Sequence, residues 1–336
     1  MRASCVSVPA SPPQPRTRTR PTSREAAPRA TVERATASSS SSSDDDDLRA
    51  AFRHCVALAR ARDYETYLCT LHLSRTHAPA AFAVRAFNVE TASIAGATTE
   101  SATALARLAW WRDVVDGLAR GEASVEAKGH PVARALRAAI GATPSAHARV
   151  LMRRIVDARI ADARQSGGVE DAAALERYAA DTHSSALALA LDACGVKDTD
   201  CDHVASHLGR AIGITALLRG SSAHAKQRRC YLPREALARR GASVESTYRM
   251  ESSDAIRDVA HEVASLAKSH LDSARAMMDR VPTPLRGFFL QATPTSRYLD
   301  ALEARDFDVF DESVAKGGAP VILQARIAWN AYRCTY

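Results

Sequence analysis

Apolar residues along much of this chain recur at intervals of three and four, the spacing of one face of an α-helix. The repeat runs over about five turns in 259–278, and it returns in 105–118 and 204–218. No stretch of useful length shows the strict apolar and polar alternation of a half-buried strand. Glycine is scarce, at 15 of 336 residues, which also favours helix over a β-sandwich or barrel. These features predict an all-α domain of about ten helices.

Helix starts are predicted where proline or serine suits a first turn, at Pro131, Pro144 and Ser253. The acidic residues of 198–202 and 254–258 are interpreted as caps and first-turn charges that favour the positive end of a helix dipole. The second group has the spacing D-x-x-x-D, but it opens a helix of its own. The first group lacks the glycine and downstream glutamate of a calcium loop.

The first 43 residues form one compositional unit with seven arginines, ten serines and only two acidic residues. An arginine-rich, serine-rich and acid-poor segment is typical of an organellar transit peptide, because an inside-negative membrane potential attracts positive charge. Its prolines leave mitochondrion and plastid both open. The aspartates of 44–47 are predicted to be an acidic linker, and the helical domain is predicted to span 48–336.

Several function classes find no support in the sequence. No apolar run approaches the roughly 20 residues of a membrane span, and the phosphate-loop, zincin and nucleophile-elbow motifs are absent. The net charge of +7 is not arranged as a basic stripe with interleaved aromatics, so nucleic-acid binding is not predicted. The seven cysteines form no C-x-x-C pair, which fits a reducing compartment. His203 and His207 share a helix face but have no third ligand in register, so no metal site is predicted.

Four segments carry a family resemblance by their order and spacing. They read FAVRAFNVETASI at 82–94, RLAWWRD at 107–113, SHLGRAIGITALLR at 206–219 with RRCYLP at 228–233, and FLQATPTSRYLDALEARDFDVF at 289–310. Together they resemble the squalene/phytoene synthase family over essentially all of 50–336. The resemblance implies a single isoprenoid-synthase-like helical bundle with a central cavity. Of the paired Trp110 and Trp111, one is expected in the core and the other at a partner or membrane surface.

The active enzymes of that family hold Mg²⁺ through two D-x-x-x-D motifs on facing helices, where both carboxylates of each motif share one helix face. The resemblance places the first motif at Ala92 and Gly96 and the second at Gly220 and His224. None of these positions is acidic. The chain is therefore expected to have no catalytic residues and no cofactor, with Mg²⁺ needed only if it is a prenyl transferase after all.

A residual diphosphate or lipid pocket is expected from positions that match the family near its diphosphate site. These positions are Glu90, Arg219, Arg228, Arg229 and Tyr231. Arginine suits a diphosphate because its planar fork binds oxygens in pairs. The structural alternative is a salt bridge at Arg219 and a packed loop at 231–233.

The resemblance is strongest to the branch of the family that assists assembly of respiratory complex I. It implies complex I subunits or assembly intermediates as partners and a peripheral association with the matrix side of the mitochondrial inner membrane, with a prenyl lipid as a further ligand. The alternative is a head-to-head prenyl transferase of sterol or carotenoid synthesis.

Overall fold

The computed structural model describes residues 30–97, 100–122, 129–165, 168–316 and 320–335, with side chains from Asp44 onward except that of Lys316. The chain divides by its internal contacts into two units, Met1–Asp45 and Asp46–Tyr336. The tertiary contacts, cavities and sites described below are those of the second unit. The predicted transit segment, residues 1–43, lies outside the described side chains, and 1–29 lie outside the described residues altogether.

The described residues form sixteen α-helices, one π-helical turn and two 3-10 turns, and no strand occurs among them. The α-helices are α1 Ala30–Arg62, α2 Tyr64–Thr70, α3 Ala78–Ser93, α4 Ser101–Ala119, α5 Pro131–Ile140, α6 Ala146–Arg164, α7 Ala172–Ala179, α8 Ser185–Ala193, α9 Thr199–Arg219, α10 Ser221–Lys226, α11 Arg234–Arg239, α12 Val244–Tyr248, α13 Asp254–Ala276, α14 Ala292–Glu303, α15 Glu312–Lys316 and α16 Pro320–Arg333. The π-helical turn is Ala180–Ser184, and the 3-10 turns are Met278–Arg280 and Thr283–Phe289. The all-α prediction is confirmed.

The number of helices exceeds the predicted ten because five of them are only five to seven residues long. A helix of one or two turns is too short to show a repeat of three and four residues in sequence. The long helices α9 and α13, which the repeat predicts, pack against each other along their length. Their buried faces contain the predicted apolar positions, including Val204, Leu208, Val259 and Val263.

The N-termini of several helices are capped by a side chain that accepts a backbone N–H three residues further on, a contact of about 1 kcal/mol each. Ser253 caps α13 and Asp198 caps α9, both as predicted. Pro131 is the first residue of α5, also as predicted. The start predicted at Pro144 is two residues early, because the Ser145 hydroxyl accepts from the Ala148 N–H at 2.9 Å and α6 begins at Ala146.

Residues 44–47 are helical in the structure, contrary to the predicted linker, and lie within α1. Two of the four aspartates form ion pairs that are compatible with helix at this place. Asp46 accepts from Arg49 at 3.2 Å, one helical turn away, and Asp47 lies 3.1 Å from Arg134 of α5.

Two large buried clusters make up the core. The first is built mainly on α9, α13 and α14, and the second on α3, α4, α5 and α6. Helix α8 belongs to both, since Leu187 and Leu191 pack into the first cluster while Leu189 packs into the second. A smaller cluster joins α2 to α16 through Leu68, Leu323 and neighbouring residues.

Among the described helices, none combines the length and the apolar character needed to cross a bilayer.

Candidate functional site

A cavity of about 440 Å³ lies between α2, α3, α9 and α14, and we call it the central cavity. Its wall is polar and carries both signs of charge, because arginines from α3 and α9 meet carboxylates from the start of α2. The charged and polar residues that line it are Arg62, Asp63, Glu65, Thr66, Arg85, Asn88, Ser93, His183, Thr215, Arg219, Gln291 and Thr295.

Both acidic residues of the central cavity are engaged by arginine. Arg85 pairs with Asp63, and the Arg219 guanidinium donates to a Glu65 carboxylate oxygen at 2.6 Å. Arg219 also lies over the ring of Tyr298, 4.7 Å from its centroid. These carboxylates are therefore neutralised by the chain itself.

The four positions at which the resemblance places metal ligands do converge in space. Ala92 and Gly220 line the same central cavity. A Cβ on Gly96 would lie 3.1 Å from the side-chain amide of Gln227, just beyond α10, and one on Gly220 would lie 2.4 Å from the ring of His224. The facing arrangement of the two motif positions is present, but the carboxylates are not.

The donor set of this region does not fit Mg²⁺. The ion prefers carboxylate oxygens in near-octahedral geometry, whereas Ala92, Gly96 and Gly220 offer no side-chain donor atom. Burial, with a smaller contribution from the charge of Arg229, lowers the pKa of His224 to about 4, so its imidazole is neutral at physiological pH. Imidazole is a poor ligand for a hard cation. No group of three or more His, Cys, Asp or Glu in the described residues is arranged to hold a metal.

A second cavity of about 270 Å³ lies beside the loop that follows α10, and its polar wall is organised around Asp162 of α6. The Tyr231 hydroxyl donates to this carboxylate at 2.9 Å, and Arg229 pairs with it. Tyr178 donates to it as well, at 3.2 Å. We call this set the Asp162 network.

The Asp162 network reaches the wall of the central cavity through one further arginine. Arg159 donates to the Tyr178 hydroxyl, and its guanidinium lies 3.5 Å from the side-chain oxygen of Asn88. Burial raises the pKa of Tyr178 to about 12 and raises that of Tyr231 further. Both phenols are therefore hydrogen-bond donors at physiological pH, not anions.

The structure separates the five predicted pocket residues into three places. Arg219 lines the central cavity, whereas Arg229 and Tyr231 belong to the Asp162 network around the second cavity. Arg228 also borders the second cavity, but its guanidinium is largely exposed and pairs with Glu245 at 2.9 Å. Glu90 lines neither cavity; together with burial, its charge raises the pKa of the Cys55 thiol to about 12.

The structure also shows where the paired tryptophans and histidines lie. Trp111 is buried in the second core cluster, as predicted for one of the pair, and Trp110 is half-buried against the same cluster. A partner or membrane contact of Trp110 stays a prediction. His207 pairs with His270 of α13, with 3.0 Å between their Nδ1 atoms, and His203 takes no part in that contact.

Several charged residues of the site are not identifiable by sequence reasoning. Asp63 and Glu65 stand at the start of a seven-residue helix, and Asp162 lies among six other charged residues of α6. Their partners are 22 to 154 positions away in the chain. No local signal identifies such pairs, because they depend on which helices pack together.

Comparison with known proteins places most of the chain in one family. Residues 59–331 match the squalene/phytoene synthase family model. The Drosophila melanogaster protein NADH dehydrogenase (ubiquinone) complex I, assembly factor 6 homolog is 38% identical over 282 residues, which cover 83% of each chain. The Homo sapiens complex I assembly factor 6 is 34% identical over 84% of this chain and 82% of its own length. A Dictyostelium discoideum homolog of the same factor is 33% identical over 74% and 69%.

Two solved structures of similar fold are synthases. A dehydrosqualene synthase bound to a ligand superposes with a TM-score of 0.71 at 16% identity, covering 86% of this chain and 98% of that one. The squalene synthase HpnC from Alicyclobacillus acidocaldarius gives a TM-score of 0.64 at 20% identity, with 77% and 95% covered. At these identities the likeness concerns the fold, and it agrees with the predicted isoprenoid-synthase-like bundle.

Proposed function

This chain belongs to the squalene/phytoene synthase family, and we propose that it acts as an assembly factor for respiratory complex I and not as a prenyl transferase. The observation that carries the proposal is the agreement of its relatives. Proteins from a fly, a mammal and a slime mould, 33% to 38% identical over most of both chains, are all complex I assembly factor 6 or its homolog.

The chemistry of the central cavity supports a role without catalysis. Ionising an allylic diphosphate requires metal ions that neutralise the leaving group as its negative charge builds up. The positions that would hold those ions are Ala92, Gly96, Gly220 and His224, and the nearby carboxylates of Asp63 and Glu65 are paired with arginines. We therefore assign no catalytic residue and no cofactor.

The proposed location is the mitochondrion, on the matrix side of the inner membrane. The arginine-rich and serine-rich residues 1–43 support import into an organelle. A function in complex I assembly selects the mitochondrion over the plastid. The partners are complex I subunits or assembly intermediates, and association with the membrane is peripheral.

The test of this proposal is the amount and in-gel NADH activity of complex I in cells that lack the protein. We expect selective loss of complex I, with the other respiratory complexes as internal controls. The intact chain should restore it, and so should an Arg219→Gln variant if the cavity is inert. Unchanged complex I, with altered sterols or carotenoids, would overturn the proposal.

A second candidate, prenyl transfer, has one observation in its favour: the central cavity is still open and lies in a synthase-like fold. It predicts diphosphate release from farnesyl or geranylgeranyl diphosphate with Mg²⁺. We expect no release above a heat-inactivated control. Binding of a prenyl lipid without turnover, seen as a lipid that copurifies with the protein, is compatible with the assembly role. Rescue by the intact chain but not by an Arg219→Gln variant with the parent's unfolding midpoint and cellular level would favour such a bound ligand.

A further inference from the structure

Helix α16 exposes apolar side chains that nothing in the described residues covers. It contributes four of the eight large apolar residues with high exposure, although it has only 14 residues. Val321 is 73% exposed, Ile322 63%, Trp329 59% and Tyr332 81%. A helix that only packed against its own domain would place polar side chains on its outer surface.

These residues share one side of the helix. At 3.6 residues per turn, Val321, Ile322, Trp329 and Tyr332 fall within an arc of about 100°, and we call this arc the α16 face. The opposite side of α16 is also apolar, since Leu323 and Ile327 are buried against α2 and its neighbours. The helix therefore has one apolar side for its own domain and a second one that is free.

Charge on α16 has one sign only. Its 14 residues include Arg326 and Arg333 but no acidic residue, and both arginines are exposed. Both lie just beyond the same edge of the α16 face, about 20° and 40° from it. The Arg333 guanidinium lies 5.8 Å from the centroid of the Trp329 ring. This combination of tryptophan, tyrosine and arginine around aliphatic residues is typical of helices that lie in the plane of a membrane interface.

A second surface also combines apolar and basic residues. It is a groove of about 1070 Å³ between α1 and the start of α3, and we call it the arginine groove. Phe52, Val56 and Phe82 are among its apolar lining residues. Four arginines border it, and no acidic residue does. They are Arg49, Arg53, Arg60 and Arg75.

The two surfaces adjoin through a pair of tyrosines. Tyr67 lines the arginine groove and stacks on Tyr64, with 5.9 Å between the ring centroids. The hydroxyl of Tyr64 accepts from the side-chain amide of Gln324 in α16 at 2.6 Å. The α16 face and the arginine groove therefore lie on either side of one contact.

We infer that the α16 face and the arginine groove together form a docking surface for a bilayer that contains anionic phospholipid. The apolar side chains would enter the boundary of the acyl chains. Five of the six arginines would meet headgroup phosphates, for which the guanidinium fork is suited, whereas Arg49 is paired with Asp46 at 3.2 Å. An acidic protein partner would also complement the charge. The interfacial chemistry of Trp329 and Tyr332 favours the bilayer. This inference rests on the proposed peripheral membrane association and names its surface and lipid class.

The test is flotation of the purified full chain with phosphatidylcholine vesicles, with and without phosphatidylglycerol. We expect binding only with phosphatidylglycerol and weakening at high salt, because screening reduces headgroup attraction. The pair Arg326→Gln and Arg333→Gln should lower the partition coefficient roughly fivefold per arginine. The pair Trp329→Gln and Tyr332→Gln should lower it by about tenfold or more.

A matched control lies on α6, where Arg149 and Val150 are both exposed. The pair Arg149→Gln and Val150→Ser should bind vesicles as the parent does. Because all these side chains are exposed, far-UV circular dichroism and the unfolding midpoint should stay unchanged. Equal binding with and without phosphatidylglycerol, or equal loss in the control, would overturn the inference.

Failure of this inference is distinguishable from failure of the proposed function. If the parent chain does not bind anionic vesicles but the Trp329 variant fails to restore complex I in cells, the α16 face meets a protein and the lipid assignment is wrong. If vesicle binding follows the expected pattern but complex I is unaffected by loss of the protein, the surface stands and the assembly role is wrong.

Discussion

In the central cavity, pairing with an arginine makes a carboxylate unavailable to a metal ion. Glu65 lies where a carboxylate could face an incoming cation, but its oxygen is 2.6 Å from Arg219. Both side chains are about three-quarters buried. In such surroundings an ion pair is costly to break, because the remaining charge loses its partner without regaining full hydration.

We predict that Glu65→Gln lowers the free energy of unfolding by about 1–3 kcal/mol, because it leaves the Arg219 side chain, which is about three-quarters buried, without its counter-charge. Urea unfolding followed by circular dichroism measures the change. Glu245→Gln is the matched control, since Glu245 pairs with Arg228 at 2.9 Å on the surface, and it should cost about 0.5 kcal/mol or less. Equal losses in the two variants would mean that the cavity pair is as well hydrated as a surface pair.

The lowered pKa of His224 makes stability depend on pH with a definite sign. His224 binds a proton near pH 6.5 in the unfolded chain but only near pH 4 in the folded chain. The contribution of His224 to stability is therefore complete above pH 6.5 and is lost as the pH falls from there toward 4, by about 2 kcal/mol at pH 5. We predict that His224→Gln loses less stability than the parent between neutral pH and pH 5.

At the scale of elements, the position of α9 depends on a close approach that only glycine permits. A Cβ on Gly209 would lie 2.2 Å from the Cα of Ser184 in the π-helical turn, and one on Gly213 would lie 2.7 Å from the Cβ of Ala179. The Ser184 hydroxyl also donates to the Ser206 carbonyl at 2.7 Å. This approach brings Thr215 and Arg219, further along α9, to the wall of the central cavity.

We predict that Gly209→Ala destabilises the protein by about 2–3 kcal/mol or more, because backbone must move to admit the methyl group. Gly117→Ala in α4 is the control, since its Cβ would meet only a carbonyl oxygen at an ordinary 3.5 Å. There the lower entropy of alanine in the unfolded chain should stabilise helix by about 0.5–1 kcal/mol. Thermal unfolding of both variants gives the comparison. A Gly209→Ala protein as stable as the parent would contradict the described contact.

At the scale of the whole molecule, the two main core clusters share α8. Leu191 of this helix is buried in the first cluster, whereas Leu189 is buried in the second, two residues away. If α8 lost its contacts with one cluster, its packing in the other cluster would be disturbed as well. We therefore expect the helical domain to unfold as one cooperative unit.

We predict that Leu191→Ala lowers stability by about 2–5 kcal/mol through the cavity that it leaves. The same shift in midpoint should be seen by tryptophan fluorescence, since Trp110 and Trp111 lie with the second cluster, and by far-UV circular dichroism. Leu189→Ala should shift both signals in the same way. Two transitions that separate in the Leu191 variant would show that the clusters unfold independently.

Sequence alone is enough to predict the helical class, the long helices α4, α9 and α13, and the family. Helix α13 is readable because its apolar spacing, its Ser253 cap and its first-turn acid are all local. The family motifs survive as short strings, and the absence of acid at Ala92 and Gly220 can be read directly once those strings are aligned. Local pattern suffices for these conclusions because helix periodicity and capping involve residues within a turn or two of each other.

The distribution of the polar residues between the two cavities depends on the tertiary fold. Arg219 and Arg229 are ten positions apart, but one pairs with Glu65 and the other with Asp162, so the expected single pocket is divided between two cavities. The exposure of the α16 face cannot be predicted from the sequence either, because both sides of this helix are apolar and resemble sides that face a core. In each case the outcome depends on which surfaces pack together, and that depends on contacts between residues far apart in the chain.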